Sequence, residues 1–333
     1  MNLQERIKAF AALGHKIQSL PTEQIQELAQ KAKGQNNWFI KESVSAAFEG
    51  IRKMLDEQLL NQWAEKYPAL AYPVQAKKIG VVMAGNIPMV GFHDFLCVLL
   101  SGHKLLAKLS SQDSFLMKTL AQWLTEIEPR FSESIQFADR LNEADAYIAT
   151  GSDNTARYFH HYFGKKPNII RANRTSLAVL SETETEEDFQ YLGKDIFQYF
   201  GLGCRNVSKL FVPAGFSFPK LLNALQSFEY VAKHHKYVNN YDYNKSIFLV
   251  NRVEHLDTGF LLLRESEETV SPISVLHYEY YQSESELKKK LELCSSKTQC
   301  VTGKGFIPFG QAQLPSLDDY ADGIDTMHFL TTL

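Results

Sequence analysis

One cysteine of this sequence lies in a setting that suits nucleophilic chemistry. Cys204 falls in the segment FGLGCRNVSKLFVP, between glycine-containing turns and a strand-like apolar run. A lone cysteine is more often a small core residue, and only an electropositive, partly exposed setting makes its thiolate reactive. The rest of the chain therefore has to decide between a nucleophile and a buried thiol.

An asparagine in the first half of the chain suits the stabilisation of negative charge. Asn86 lies in AGNIPMV, where Pro88 suits the first position of a helix. Its side-chain amide can donate a hydrogen bond to a developing oxyanion. The same residue can serve as a loop or capping residue, and the segment alone leaves both interpretations open.

Two later segments carry groups that suit a dinucleotide. Lys108, Ser110 and Ser111 end the strand-like run KLLAKLSS, where an ammonium and hydroxyls can bind ribose or phosphate or can simply face solvent. Gly151 and Ser152 lie between a strand and a helix in TGSDNTARYF, where helix N–H groups can hold a pyrophosphate. This turn lacks the three-glycine fingerprint of Rossmann domains, so each segment is weak evidence alone.

The elements that must position these groups are predicted to alternate between strands and helices. Residues 1–66 have the apolar spacing of amphipathic helices, with Ile7, Phe10, Leu13 and Ile17 on one stripe. From Lys77 onwards, short apolar strands alternate with helices, which predicts an α/β fold with largely parallel sheets. The strand-like runs of the second half are SKLFVP, SIFLVN, ISVLHYEY and TQCVTG.

Composition excludes several other classes of protein. The 333 residues carry a net charge of −3 with interleaved acids and bases, so we expect no nucleic-acid partner. No run reaches the roughly 18 apolar residues of a membrane span, and the N-terminus lacks the apolar core of a signal peptide. The four cysteines form no CxxC pair and no metal-ligand spacing, so we expect no metal and a reduced, cytoplasmic setting.

Taken in order, these segments resemble the aldehyde dehydrogenase superfamily, and in particular its acyl-CoA reductase branch, the LuxC-type fatty-acid reductases of bacterial luminescence. AGNIP is similar to the oxyanion asparagine segment, SGHKLLAKLSS to the cofactor-binding lysine strand, and ATGS to the phosphate-contacting turn. GLGCRNVSKLFVP resembles the catalytic cysteine loop, and EETVSPISVL resembles the segment whose glutamate contacts the nicotinamide ribose. Together these segments span roughly residues 77 to 280.

The resemblance implies roles for individual residues. Cys204 would be the nucleophile, Asn86 would hold the oxyanion, and Glu268 would contact the nicotinamide ribose. It also implies two doubly wound domains with a cleft between them: residues 1–180 with the helical lead-in and cofactor site, and 181–305 with the catalytic cysteine. Residues 306–333 would return to the cofactor domain or form an oligomer interface.

The departures from the family pattern indicate the direction of the reaction. Hydrolytic relatives place a glutamate that activates water where this chain reads NIIRANRTS, with Arg171 near that place. Without this base, a thioester on Cys204 would be discharged by reduction and not by hydrolysis. Any one of Arg171, Arg174 and Arg205 would lower the pKa of the Cys204 thiol if it lies close to the sulfur.

We therefore expect NADPH-dependent reduction of an acyl-CoA to a fatty aldehyde through an acyl-cysteine thioester. Ser111 stands where NAD-preferring relatives often carry an acid, and a neutral residue there does not repel a 2′-phosphate, so NADPH is allowed. NADH is possible as well. An acyl-phosphate reductase and a non-catalytic scaffold of the same fold are the alternatives. A homo-oligomer or an acyl-transfer partner enzyme remains open.

Overall fold

The computed structural model describes residues 1–73 and 75–333, which form two structural units. Unit 1 comprises Met1–Ala172 and Pro315–Leu333, and unit 2 comprises Asn173–Leu314. The predicted boundary near residue 180 lies after the observed one. The physical reason is that strand Thr175–Val179 pairs with strands of unit 2. The return to unit 1 begins at Pro315 and not at residue 306.

Unit 1 begins with the predicted helical lead-in. Its first helix has a complete capping box, because Asn2 and Glu5 exchange side-chain to backbone hydrogen bonds. The predicted stripe is confirmed, since its four apolar side chains are all buried. The helices are α1 (Leu3–Gln18), α2 (Thr22–Lys33), α3 (Lys41–Met54) and α4 (Glu57–Glu65).

The sheet of unit 1 is parallel, with the strand order β3-β2-β1-β4-β5. The chain runs from β1 to one side and then returns to continue on the other, so the strand order reverses between β1 and β4. In open α/β sheets, ligands bind beyond the carboxyl ends of the strands at such a reversal. The elements are β1 (Lys78–Val82), α5 (Phe92–Leu100), β2 (Lys104–Lys108), α6 (Ser114–Ile127), β3 (Ile135–Phe137), β4 (Ala146–Thr150), α7 (Asp153–Phe163) and β5 (Asn168–Arg171).

Unit 2 contains a second sheet, with the strand order β11-β6-β7-β10-β9-β8. Its pairs are parallel except for the short antiparallel pair of β8 with β9. The elements of this unit are β6 (Thr175–Val179), α8 (Glu186–Phe197), β7 (Val207–Pro213), α9 (Pro219–Leu225), α10 (His235–Val250), β8 (Leu256–Asp257), β9 (Leu262–Glu265), β10 (Val275–Tyr281), α11 (Glu284–Cys294) and β11 (Thr298–Gly303). After β11 the chain returns to unit 1 and ends with α12 (Thr326–Thr331).

One predicted strand is wrong. The run SIFLVN belongs to α10 and its end, although its composition is typical of a strand. Tyr237, Tyr241, Asn244 and Phe248 of α10 are buried at helical spacing, so Phe248 within this run continues a helical face. Burial of that face outweighs the local β-propensity of the run. None of the helices in the described part of the chain combines the length and hydropathy needed to cross a bilayer.

Candidate active site

The carboxyl edge of the unit 1 sheet brings together the predicted oxyanion and cofactor segments. β1 and β2 are paired in register as far as Val82 and Lys108, and the N–H of Met83 donates to the carbonyl of Lys108 at 3.0 Å. β4 flanks β1 on its other side, so Gly151 leaves the sheet at the same edge. The structure therefore gathers three of the predicted segments at the reversal of strand order.

Asn86 does not precede a helix directly. It is half-buried in a bend, and α5 begins only at Phe92, with Gly91 as its N-cap. The prediction that Pro88 opens a helix is therefore wrong, because the residues from Pro88 to Gly91 form turns before the first helical residue. The bend is held from behind by the buried side-chain amide of Asn36, which donates to the carbonyl of Gly85 at 3.0 Å.

The bend also packs closely on the segment that follows β2. A Cβ atom at Gly85 would lie 2.5 Å from the hydroxyl oxygen of Ser110, which is too close for any side chain. Glycine at 85 thus permits the backbone of the asparagine segment to approach the serine segment. Two of the predicted site segments are in direct contact at this point.

A buried carboxyl group that no sequence motif marks lies between these two segments. Oδ2 of Asp113 accepts a hydrogen bond from the backbone N–H of Met89, whose φ of 56° is unusual for a residue with a side chain. Oδ1 is buried without a hydrogen-bond partner among the residues that the structure describes. Burial raises the pKa of Asp113 to about 8, so the group is largely protonated at neutral pH.

The predicted cofactor residues differ in what they offer at this edge. The side chains of Lys108 and Ser111 are exposed. The hydroxyl of Ser110 accepts from the N–H of Gln112 at 3.2 Å, within the turn that leads to α6. Lys108 and Ser111 are therefore the groups of this segment that present an ammonium and a hydroxyl to solvent.

Ser152 has a structural role in the phosphate-turn segment. Its hydroxyl caps α7 by accepting from the N–H of Thr155 at 3.2 Å. Gly151 is required for packing, since a Cβ there would lie 2.9 Å from the side chain of Thr155. Asp153 in the first turn adds a negative charge that opposes binding of a phosphate at this helix end.

Cys204 is half-buried in unit 2, in the turn that leads into β7, whereas Cys97, Cys294 and Cys300 are buried. The carbonyl of Cys204 accepts from the hydroxyl of Ser176 on β6 at 3.1 Å. Cys204 is thus the most exposed of the four cysteines.

An asparagine two residues after the cysteine holds this turn, and it too was missed from the sequence. Asn206 is 2% exposed, and its Oδ1 accepts from the N–H of Gly203 at 2.8 Å. Its Nδ2 lies within hydrogen-bond distance of the carbonyl oxygens of Asp195, Ile196 and Gln198, at 3.0, 3.2 and 2.7 Å. The sequence signal was present, since asparagine is typical of turns.

The three candidate arginines are each held by other groups. Arg171 is buried in unit 1, where Nη1 donates to both carboxylate oxygens of Asp94 at 2.7 and 3.0 Å. In unit 2, Arg174 donates to the carbonyls of residues 295 and 298, and Nη1 of Arg205 donates to the carbonyl of Ala312 at 3.3 Å. Arg171 is therefore committed to a buried ion pair, and Arg205 is the arginine next to Cys204 in the chain.

The segment that faces Arg205 is itself anchored to α8. The carboxylate of Asp195 accepts from the N–H groups of Gly310 and Ala312, at 2.7 and 3.1 Å. Burial raises the pKa of Asp195 to about 6, against the opposing effect of these two donors. One buried carboxylate thus fixes the loop that accepts the hydrogen bond from Arg205.

The loop that carries Glu268 is held by three consecutive carbonyl groups. The carbonyls of residues 267, 268 and 269 accept from Lys209 Nζ at 2.8 Å, His277 Nδ1 at 3.1 Å and Ser208 Oγ at 2.9 Å. Lys209 on β7 and His277 on β10 are paired in register, so both side chains lie on one face of the sheet. The Glu268 side chain itself is exposed.

The Glu268 loop and the amino ends of the central strands share one hydrogen-bond chain. The hydroxyl of Thr175 donates to that of Ser208 at 2.7 Å, and Ser208 in turn donates to the carbonyl of Thr269. Within unit 2, the predicted nucleophile turn and the predicted cofactor loop are thus anchored to neighbouring strands. The described residues contain no cluster of His, Cys, Asp or Glu side chains arranged to bind a metal ion.

Comparison with known proteins gives the family. The model of the acyl-CoA reductase (LuxC) family matches residues 13–220. The chain belongs to this family. The matched part of this acyl-CoA reductase runs from α1 through the Cys204 turn to the start of α9, so it includes most of the predicted site residues. No curated protein matches the chain.

Solved structures identify the fold of this acyl-CoA reductase as that of aldehyde dehydrogenases. An NAD-dependent aldehyde dehydrogenase from Sinorhizobium meliloti is 13% identical, with a TM-score of 0.65 over 96% of this chain and 73% of that chain. An NAD+ complex of an aldehyde dehydrogenase from Bacillus cereus is 15% identical, with a TM-score of 0.64 over 91% and 72% of the two chains. The Mycobacterium tuberculosis aldehyde dehydrogenase complexed with NAD+ is 12% identical, with a TM-score of 0.64 over 91% of this chain and 73% of that chain.

Proposed function

We propose that this protein reduces an acyl-CoA to an aldehyde with NADPH, through a thioester on Cys204. The observation that carries the proposal is the difference in burial among the four cysteines. Cys204 is half-buried in a glycine-containing turn whose backbone is hydrogen-bonded on both sides, while the other three are buried. A reactive cysteine needs access and a fixed position, and Cys204 has both.

The proposed reaction begins with attack of the Cys204 thiolate on the thioester carbonyl. A bond forms between Sγ and the acyl carbon, and the bond from that carbon to the sulfur of CoA breaks, so CoA leaves as a thiolate. The backbone N–H of Cys204 would donate to the oxyanion in this step, and the resemblance to the family implies the same role for the side-chain amide of Asn86. Arg205 is the candidate for the positive charge beside the thiolate, because it is next to Cys204 in the chain.

The bound nicotinamide cofactor supplies the hydride that reduces the acyl group. Collapse of the tetrahedral oxyanion on Cys204 then breaks the bond from carbon to Sγ, releases the aldehyde and regenerates the thiolate. No glutamate is needed to activate water in this series of reaction steps. Arg171, near the place of that base in hydrolytic relatives, is bound to the buried Asp94.

The residues at the carboxyl edge of the unit 1 sheet fit a nicotinamide dinucleotide by their chemistry. Lys108 offers an exposed ammonium and Ser111 an exposed hydroxyl at the end of β2. In unit 2, the exposed carboxylate of Glu268 suits a ribose hydroxyl. Because Ser111 is neutral, it does not repel a 2′-phosphate, and Lys108 can attract one. These two groups support NADPH as the preferred cofactor. The negative charge of Asp153 favours binding of the pyrophosphate nearer to Lys108 than to α7.

The test is a spectrophotometric assay of NADPH and NADH oxidation with acyl-CoAs of graded chain length. We expect aldehyde formation by the native protein and none by Cys204→Ala, whereas Cys294→Ala, which removes a buried thiol, retains activity. Intact-mass spectrometry without cofactor should show an acyl adduct on the native protein and on Cys294→Ala, and none on Cys204→Ala. Oxidation with an acyl phosphate but not with acyl-CoA would replace the substrate class. The absence of any adduct would refute the covalent mechanism and favour a scaffold.

A further inference from the structure

The segment just before Cys204 has an unusual backbone. Tyr199 and Phe200 have φ angles of 54° and 59°, and Gly201 follows with 78°. Three successive left-handed residues reverse the chain between α8 and the Cys204 turn. For residues with a side chain, this conformation is strained and persists only when the surroundings enforce it.

The buried side chain of Asn206 holds this left-handed segment in place. Its Nδ2 faces the last carbonyls of α8 and the carbonyl of Gln198, the residue just before the left-handed pair. Its Oδ1 accepts from Gly203 N–H, and its own backbone N–H donates to the carbonyl of Gly203 at 3.0 Å. Side chain and backbone together close the turn from Gly203 to Asn206, which contains Cys204.

The chemistry of the neighbours fixes the orientation of the amide. A backbone N–H can only donate and a carbonyl can only accept, so Oδ1 must face Gly203 and Nδ2 must face the helix end. The backbone carbonyl of Asn206 is held as well, because it accepts from the N–H of Ser176 at 3.0 Å. An aspartate at position 206 could still accept from the N–H of Gly203. Its second carboxylate oxygen would then lie against the three carbonyl oxygens that now accept from Nδ2, and these groups would repel each other.

We propose that Asn206 is a positioning residue for Cys204, which joins the end of α8, the left-handed reversal and the cysteine turn into one rigid piece. The claim rests on the proposed function insofar as Cys204 is the acylated residue. Acyl transfer requires the sulfur at a defined position, and a displacement of about 1 Å can cost roughly 100-fold in rate. Alkylation by a small reagent such as iodoacetamide requires only access.

The experiment compares Asn206→Ala and Asn206→Asp with Asn244→Ala. Asn244 is a matched control, because it is also buried in unit 2 and donates to two carbonyls, those of residues 240 and 273. We expect both variants at 206 to lower the rate of acylation of Cys204 by acyl-CoA by about ten- to a hundred-fold. The rate of alkylation of Cys204 by iodoacetamide should not fall, and Asn244→Ala should change neither rate.

Hydrogen exchange measured by mass spectrometry tests the clamp without any substrate. Peptides covering residues 196–204 should lose protection in Asn206→Ala and keep it in Asn244→Ala. Native-like protection of this segment in Asn206→Ala would overturn the proposal, and so would an equal loss of acylation in Asn244→Ala. If the native protein is not acylated at all, the proposed function fails, and the exchange result still decides whether Asn206 holds the turn.

Discussion

Replacement of Asp113 by asparagine should make the protein more stable at alkaline pH. The carboxyl has a pKa of about 8 in the fold, against an ordinary value of 3.8, because it is buried. Between these two values, the folded state retains a proton that the unfolded chain releases. The free energy of unfolding therefore falls as pH rises from about 4 to 8, at about 1.4 kcal/mol per pH unit.

Over that interval the contribution of Asp113 amounts to about 6 kcal/mol, which is an upper value because local opening relieves part of the burial. Asparagine has the shape of the protonated carboxyl, and its Oδ1 can still accept from the N–H of Met89. The variant should thus have similar stability near pH 5 and exceed the native protein by several kcal/mol at pH 9. The difference in the free energy of unfolding between the variant and the native protein should increase from pH 5 to pH 9.

Urea unfolding at intervals of one pH unit from 5 to 9 measures this difference. Asp139→Asn is the control, since Asp139 is an exposed carboxylate in the same unit. Hydrogen exchange of the peptide that contains Met89 reports the local effect, and at pH 9 it should be slower in Asp113→Asn than in the native protein. A constant difference between variant and native protein from pH 5 to 9 would refute the raised pKa.

Three further substitutions test the packing inside each unit. Lys209→Met removes a fully buried ammonium from Glu279 and from the carbonyl of residue 267. Glu279 keeps its ion pair with Lys290, so urea unfolding should show a loss of about 1–3 kcal/mol. Gly85→Ala forces the backbone away from Ser110, so the KM for NADPH should rise while the melting temperature falls, and an unchanged KM would contradict the close approach. Arg171→Met leaves the buried carboxylate of Asp94 unpaired, and the free energy of unfolding in urea should fall by about 3–5 kcal/mol. A second substitution, Asp94→Leu, should restore most of this loss.

Local sequence determined most of the elements of this protein. Its apolar spacing predicted the lead-in helices, and the alternation of short apolar strands with helices predicted a parallel α/β fold. These signals are local, because the side chains that face the core recur with the period of the element itself. The run SIFLVN shows where local signals fail. Its strand-like composition is overridden by a helical face whose other members lie earlier in α10.

The order of the segments AGNIP, KLLAKLSS, ATGS and GLGCRN also predicted the family, since that order does not depend on the tertiary structure. The residues that hold those segments could not be predicted in the same way. Asn206 and Asp113 are ordinary polar residues in the sequence. Their roles arise because folding buries them and places backbone groups from other segments around them. Arg171 shows the same limit, since its partner Asp94 is 77 residues away in the chain.

The sequence by itself thus determined the elements, the family and the candidate nucleophile, because each is recorded in residue types at short spacing. Only the tertiary structure decided which polar groups hold the Cys204 turn, the asparagine bend and the Glu268 loop. The physical reason is that a buried hydrogen bond depends on which distant backbone groups meet a side chain after water is excluded.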